Sequence, residues 1–235
     1  MRVESVEAIA IEIPLTKNFG GSTYTVLKRS TVITRMRTDG GLVSEVYNGD
    51  NRTHGREIVR LIQDALAPRV RDVSIFEGER IWESLFALTH VSGDRKLLLE
   101  AIACIDCALW DLVGKALGKT VCALLGGYRA SLPIISIGGY YMDGGVTDWR
   151  RAAAVCAAAG VQMAHHEESQ IAQHLLAAVP HGTYVECFAD PERDPVWQAM
   201  WTNRPAITNG TMAVARDPGF GLVLDDAMIR RYRIA

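Results

Sequence analysis

The chain has 235 residues, 49% hydrophobic, 22% charged and 7% aromatic, the balance of an ordinary soluble globular protein. Twenty-five Lys and Arg against 27 Asp and Glu leave a formal charge of −2, which supplies no field for nucleic acid or anionic lipid. No apolar run reaches the ~20 residues needed to cross a bilayer, and Met1-Arg-Val-Glu-Ser-Val-Glu has no apolar export segment, so a cytoplasmic location with no membrane partner is expected. The five cysteines, Cys104, Cys107, Cys122, Cys156 and Cys187, are odd in number and sparse. Reduced thiols follow, with Cys104-x-x-Cys107 read as small buried hydrophobes because no second CxxC completes a metal site.

Residues 3 to 13 alternate, with Ile9, Ile11 and Ile13 on one side and Ala8, Ala10 and Glu12 on the other. This predicts a half-buried strand that stops at Pro14. Ser30 to Thr38, Asp39-Gly40-Gly41 and Leu42 to Tyr47 predict a hairpin. Gly-rich loops at 17–24 and 48–53 flank these strands. A helical period carries Ile58, Leu61, Ile62, Ala65 and Leu66 and is expected to end at Pro68. Ser74-Ile-Phe-Glu77 predicts a capping box opening a helix through Ile81, Trp82, Leu85 and Phe86. A long helix is expected from Arg95 to Leu117, stopped by Gly118. From Leu132 the pattern changes to alternating strand and helix: strands at 132–141, 161–165 and 184–188, helices at 147–159 and 169–178, and an amphipathic piece at 227–232. That alternation predicts a parallel sheet or barrel after an α+β unit.

Ala101-Ile-Ala-Cys-Ile-Asp-Cys-Ala-Leu-Trp-Asp-Leu-Val-Gly-Lys-Ala-Leu-Gly-Lys119, followed by Leu124-Leu-Gly-Gly127, resembles the mandelate racemase and muconate lactonizing group of the enolase superfamily. The pieces Gly144 to Ala154, Gly160 to Glu168 and Val179 to Phe188 are similar to that family's sixth helix, seventh strand and eighth strand. The resemblance implies an α/β protein: an α+β capping domain over residues 1–128, part of a (β/α)7β TIM-like barrel over 129–215, and a segment 216–235 returning to the cap. It further implies a Mg2+-dependent enzyme, a lyase or isomerase that abstracts the proton alpha to a carboxylate, and a homo-oligomer. Its substrate would be a small carboxylate, either an acid sugar for a dehydratase or a hydroxy acid for a racemase.

Counting along the seventh and eighth strands of the resemblance gives His166 and Glu186 as the catalytic candidates. An enediolate needs a positioned base and concentrated positive charge at its oxygens. His166 suits the base, or the acid that protonates a leaving hydroxide, because imidazole titrates near neutrality. Glu186, protonated in an apolar pocket, would donate a hydrogen bond to the developing oxyanion. His165 stays open as the alternative, since neighbouring residues of a strand face opposite ways. Thr23 and Tyr24 are candidate substrate contacts on a loop that covers the site in relatives, with a plain surface loop the alternative. Glu167 and Glu168 read as a solvated pair opening a helix, and Asp106 and Asp111 as structural hydrogen-bonding groups.

A barrel of this type needs ~250 residues, and roughly 90 lie between Arg129 and the tail, so ~160 are missing. The join falls where Ile134 to Tyr141 runs through Met142 and Asp143 into Gly144. Strands two to six of the family barrel would be absent, and with them the metal-binding acids, leaving the chain as it stands inactive alone. Asp190, Glu192 and Asp194 sit in a Pro-punctuated loop and offer no substitute cluster. Two readings follow: part of a full Mg2+-dependent enzyme, or a catalytically inactive truncated member acting as a structural or assembly subunit.

Overall fold

A computed structural model describes residues 1–20, 25–48, 54–135, 144–166 and 169–235. Strands β1 (Val3–Gly20), β2 (Thr25–Thr38) and β3 (Val43–Asn48) form an antiparallel meander in the order β1-β2-β3. Thr38 and Leu42 close the second turn through Thr38 N–H to the Leu42 carbonyl (2.9 Å), as the Asp39-Gly40-Gly41 signal requires. Next come α1 (Gly55–Leu61), a π-helical turn at Ile62–Leu66 and α2 (Ala67–Val70), then α3 (Gly78–Phe86) with a 3-10 turn at Ala87–His90, α4 (Arg95–Leu117) and α5 (Val121–Leu124). The second half contains β4 (Ser131–Ile135), α6 (Gly145–Ala158), β5 (Met163–His165), α7 (Ser169–Ala178), β6 (Gly182–Glu186), α8 (Pro195–Ala199), the short hairpin β7 (Ile207–Thr208) and β8 (Thr211–Ala213), and α9 (Asp226–Tyr232). No helix among the described residues is long and apolar enough to cross a membrane.

The first strand departs from its expected form in two ways. It runs on to Gly20 rather than stopping at Pro14, because Pro14 falls at a shift of register between Pro14 and Phe19, where the absent N–H disturbs no regular ladder. It is also buried on both faces rather than one. Ala8 and Ala10 pack with Val32, Met36 and the α1 to α4 residues Ile58, Ile62, Leu85, Ile102 and Leu109. Ile9, Ile11, Ile13, Ile33 and Tyr47 face a second core made with Leu132, Val146, Met163, Leu175, Val185 and Trp201. The cap sheet is thus a layer between two cores, with small residues toward the helices and large ones toward the second half.

Two helix signals also need correction. Ser74 and Glu77 form no capping box: Glu77 is itself the N-cap residue without a side-chain cap, and it pairs with Arg80 while Ser74 Oγ accepts from Phe76 N–H at 3.3 Å. The helix starts at Gly78, one turn later than the motif suggests. Pro68 does not end its helix either, since it occupies the first turn of α2, where a missing N–H costs nothing. The π-helical turn before it opens the hydrogen-bond spacing that lets the proline in.

Helix α4 runs over the expected residues, capped by the Asp94 side chain on Leu97 N–H (2.9 Å) and ended by Gly118 in the left-handed region at φ 64°. It is buried on most sides, and Cys104 and Cys107 are among its core residues, as the spacing suggested. All five cysteines are free thiols. Its two buried carboxylates carry specific loads. Asp106 accepts from Thr147 N–H (2.7 Å) and Thr147 Oγ1 (2.6 Å), closing the first turn of α6. Asp111 accepts from Phe220 N–H (2.8 Å) and Lys115 Nζ (2.8 Å) and reaches Glu45 N–H at 3.4 Å. A Cβ on Gly219, held at φ 76°, would stand 2.0 Å from Asp111 Oδ1.

The second sheet has the order β5-β6-β4-β8-β7. Within it β5, β6 and β4 are parallel, with His165 opposite Val185 and Ile134 opposite Val185 on the other side. The strands that the resemblance reads as the family's seventh and eighth, β5 and β6, are thus adjacent, as consecutive strands of a parallel barrel are. Strand β8 pairs antiparallel with Ser131 to Pro133 of β4 on one side and with β7 on the other. The end of the chain lies along β1, with Ile234 N–H on the Ala10 carbonyl (2.8 Å) and Ala10 N–H on the Ala235 carbonyl (3.0 Å).

Gly219→Ala should destabilise the fold by about 3 kcal/mol or more in urea denaturation, because it combines an overlap with Asp111 and a left-handed backbone. Wild-type stability after this change would remove Asp111 as the anchor of the C-terminal segment. The pH dependence of folding gives a second measurement. Burial pushes the Asp106 carboxyl up to about 7 against the lowering effect of its Thr147 bonds. Burial likewise pushes the His174 imidazole down to about 4. The raised carboxyl stabilises the fold fully below its ordinary value of 3.8 and less as pH rises through about 7. The lowered imidazole stabilises it above its ordinary 6.5 and less as pH falls toward about 4. The two slopes oppose each other between those limits. Asp106→Asn should therefore leave stability rising from about pH 5 to 7, and His174→Gln should leave it falling; slopes equal to wild type would contradict the assignment.

Candidate active site

The parallel pairing of β5 and β6 brings the residues at their C-terminal ends side by side. His166, the first residue after β5, has Nδ1 3.7 Å from Glu186 Oε2, the last residue of β6. The imidazole side chain is 36% exposed and the carboxylate 2% exposed. A buried carboxylate facing a half-exposed ring at adjacent strand ends is an arrangement suited to proton transfer, with the carboxylate inside and the imidazole open to a ligand.

His165 occupies the other side of the strand and is fully buried. Its Nδ1–H donates to the His166 carbonyl at 3.1 Å, which fixes the backbone where the next ring emerges. Ser169, at the start of α7, donates its hydroxyl to the Glu186 carbonyl (2.7 Å) and so pins the end of β6 to that helix. Of the other sequence candidates, Thr23, Tyr24, Glu167 and Glu168 lie outside the described residues, as do Met142 and Asp143 at the join. Asp190 and Asp194 act locally: Asp190 Oδ1 accepts from Glu192 N–H (2.9 Å), and Asp194 Oδ1 accepts from Trp197 N–H (3.0 Å) to cap α8.

Helix α7 holds the site against the cap through polar side chains that the sequence reading passed over. Gln170 Oε1 accepts from Tyr47 N–H (3.1 Å) on β3, Gln173 Oε1 accepts from Ala215 N–H (2.9 Å), and all three of Gln170, Gln173 and His174 are fully buried. His174 accepts from Cys122 N–H at Nδ1 (3.3 Å) and donates from Nε2 to the Phe220 carbonyl (3.0 Å). Those two bonds select the neutral ring, in line with its lowered basicity. The only sequence signal for this role is three polar residues within an otherwise apolar helix.

Aromatic and cationic side chains gather beyond β6. Phe188 is buried, and the guanidinium groups of Arg29 (β2) and Arg193 lie 5.6 and 4.1 Å from its ring centre. Phe19, near the tip of β1, faces the same two groups at 5.0 and 5.1 Å. Mg2+, which the resemblance implies, does not fit the described residues: no three His, Cys, Asp or Glu side chains among them converge to hold a metal ion. A lone carboxylate such as Glu186 supplies too few oxygen ligands for this hard cation.

Residues 6–126 match the family described as mandelate racemase / muconate lactonizing enzyme, N-terminal domain, and residues 141–228 match enolase C-terminal domain-like. Over 94 residues the chain is 37% identical to L-rhamnonate dehydratase of Saccharopolyspora erythraea, an alignment covering 37% of this chain and 24% of that protein. The chain thus spans about a quarter of that relative's length. A crystal structure of a mandelate racemase/muconate lactonizing enzyme superposes with a TM-score of 0.94 at 28% identity, covering 100% of each chain. Another such enzyme, from a marine actinobacterium in complex with magnesium, gives 0.88 at 26% identity, covering 100% of this chain and 99% of that one. With its meander cap, its adjacent parallel strands and both halves matched, the chain belongs to the mandelate racemase / muconate lactonizing enzyme family of the enolase superfamily.

Proposed function

We propose that this chain carries out the proton-transfer half of an acid-sugar dehydration. The observation that carries the reading is the 3.7 Å approach of His166 Nδ1 to Glu186 Oε2 at two adjacent parallel strand ends. Dehydration and racemization both begin by removing the proton on the carbon beside a carboxylate. The dehydratase relative at 37% identity favours dehydration of an acid sugar over racemization of a hydroxy acid. It lends nothing to the alternative of an inactive assembly subunit.

In this reading His166 takes the α-proton, and the electron pair of the C–H bond moves into the enediolate. The hydroxyl on the next carbon then leaves as water, taking its proton from the imidazolium, and the resulting enol becomes a 2-keto acid. Glu186, buried beside the ring, orients the imidazole and donates to the developing oxyanion when it carries a proton. No step is routed through a metal ion, because the described residues do not assemble one. Thr23 and Tyr24 stay assigned as substrate contacts from the cap. A cytoplasmic homo-oligomer remains the proposed state; β5 lies at an edge of its sheet and Tyr184, Val161 and Val155 are exposed apolar side chains, which supports self-association.

His166→Asn should lower exchange of the substrate α-proton with deuterium by at least ~100-fold, followed by NMR with L-rhamnonate and related sugar acids. Exchange at the wild-type rate would remove His166 from the base role. Glu186→Gln keeps a buried donor and should retain more activity than Glu186→Leu; equal losses would make Glu186 a packing residue instead.

A further inference from the structure

Helix α6 borders a cavity that the catalytic pair does not use. Trp149, Ala153 and Ala157 recur at steps of four along the helix, with Arg150 and Ala154 one position round, and all of them line one cavity of about 350 Å³. Trp110 of α4 and His181, the residue before β6, line it as well, and the rest of its lining is aliphatic. Strand β6 carries Glu186 at its far end, so five residues of strand, about 16 Å, separate His181 from that carboxylate. Among the described residues of the lining there is no carboxylate, and Arg150 is the sole guanidinium. Its side chain is 45% exposed, its central carbon lies 5.2 Å from the Trp110 ring centre, and its ion pair with Glu79 is a long 3.4 Å contact through Nη1. Glu79 is held more closely by Arg151, at 2.9 Å. Trp149 is 1% exposed, and neither its indole N–H nor His181 Nε2 has a hydrogen-bond partner among the described residues. Unmet donors beside a weakly paired cation, with no acid in the lining, select an occupant that is anionic and rich in acceptors.

We propose that this cavity binds a two-ring aromatic carboxylate, with its rings against Trp110, Trp149 and the alanine face of α6 and its acid group on Arg150. The size fits: an apolar cavity of about 150 Å³ holds one benzene, so this one takes two fused rings and a short acid side chain. Alanine methyls leave the helix surface flat, which suits a planar ring, and two indoles add aromatic contacts. A guanidinium lying over an aromatic face keeps its edge open, and that edge presents two parallel N–H donors matched to a carboxylate. A sugar acid would instead set its hydroxyls against methyls and rings and lose their hydration. The site is therefore separate in both place and chemistry from the His166–Glu186 pair, and it stands whether or not the acid-sugar reading does.

The test is a binding measurement that needs no turnover. Calorimetry with the full chain should show 1-naphthaleneacetate binding about ten times more tightly than 1-naphthaleneacetamide, its uncharged counterpart. Arg150→Gln should remove that preference and keep the affinity for the amide. Ala154→Leu, which sets a good helix former at an exposed position of α6 and fills the cavity, should weaken both ligands about tenfold or more. His166→Asn should bind the acid as the wild type does. In nitrogen-edited NMR the indole N–H signals of Trp110 and Trp149 should move on binding, while those of Trp197 and Trp201, which do not line the cavity, should stay in place. No binding of the acid, equal affinities for acid and amide, an undiminished preference in a folded Arg150→Gln, loss of binding in His166→Asn, or shifts confined to Trp197 and Trp201 would each overturn the site. The comparison of acid and amide on unaltered protein decides the matter even where a variant does not fold.

Discussion

Two carboxylates buried on one helix tie both flanks of the second half of this chain to the cap. Asp106 and Asp111 lie five residues apart on α4, both about 2% exposed. An ionised carboxylate stranded inside a protein costs several kcal/mol, so each can be buried only where donors are brought to it. Asp106 is met by the N-terminus of α6, where free backbone N–H groups and the helix dipole favour an acceptor. Asp111 is met by Lys115 and by the backbone at Phe220. The first bond sets α6 against the cap, and the second sets the C-terminal segment beside α7. Between them they fix the sides of the sheet that carries His166 and Glu186.

The cap sheet completes that linkage. Because β1 and β2 are buried on both faces, the residues facing the helices and those facing β4, β5 and β6 belong to one rigid layer. Ile9, Ile11 and Ile13 are large where the second core must be filled, whereas Ala8 and Ala10 are small where α1 and α4 press close. Filling either core therefore fixes the other, and Arg29 and Phe19 are carried toward Phe188 and Arg193 by the strands that do this packing. The strands of the cap also deliver two of the four side chains in the aromatic and cationic cluster beyond β6.

Local chemistry made a good part of the fold legible in the sequence. Gly118 had to end α4 and Asp39-Gly40-Gly41 had to turn the chain, and both do so. The errors came where a local signal competed with packing. Ser74 and Glu77 have the spacing of a capping box, but the tertiary position of α3 starts the helix a turn later. Alternation in β1 suggested a solvated face, because alanine on one side looks like weak hydrophobicity until a helix is laid on it. The adjacency of His166 and Glu186 was reachable only through the resemblance, since no periodicity links residues on two different strands. The Arg29, Arg193, Phe19 and Phe188 cluster left no trace in sequence, because it joins segments up to 174 residues apart, from Phe19 to Arg193.

An enediolate concentrates negative charge, and any protein that forms one must set positive charge or strong donors against it. The described residues do not gather the acids that would hold a divalent cation. They do gather two guanidinium groups, one contributed by β2 of the cap and one by the loop following β6, on shared aromatic faces. Burial lifts the Asp106 carboxyl to about 7, so near neutrality a group far from the reacting atoms is poised between two protonation states. When ionised, it accepts both Thr147 donors as a charged group and holds α6 most strongly, at the greatest desolvation cost. When protonated, it relieves that cost and gives up an acceptor site. The anchoring of the site to its cap is thus itself a titrating contact, set by the balance of desolvation against two hydrogen bonds at the first turn of α6.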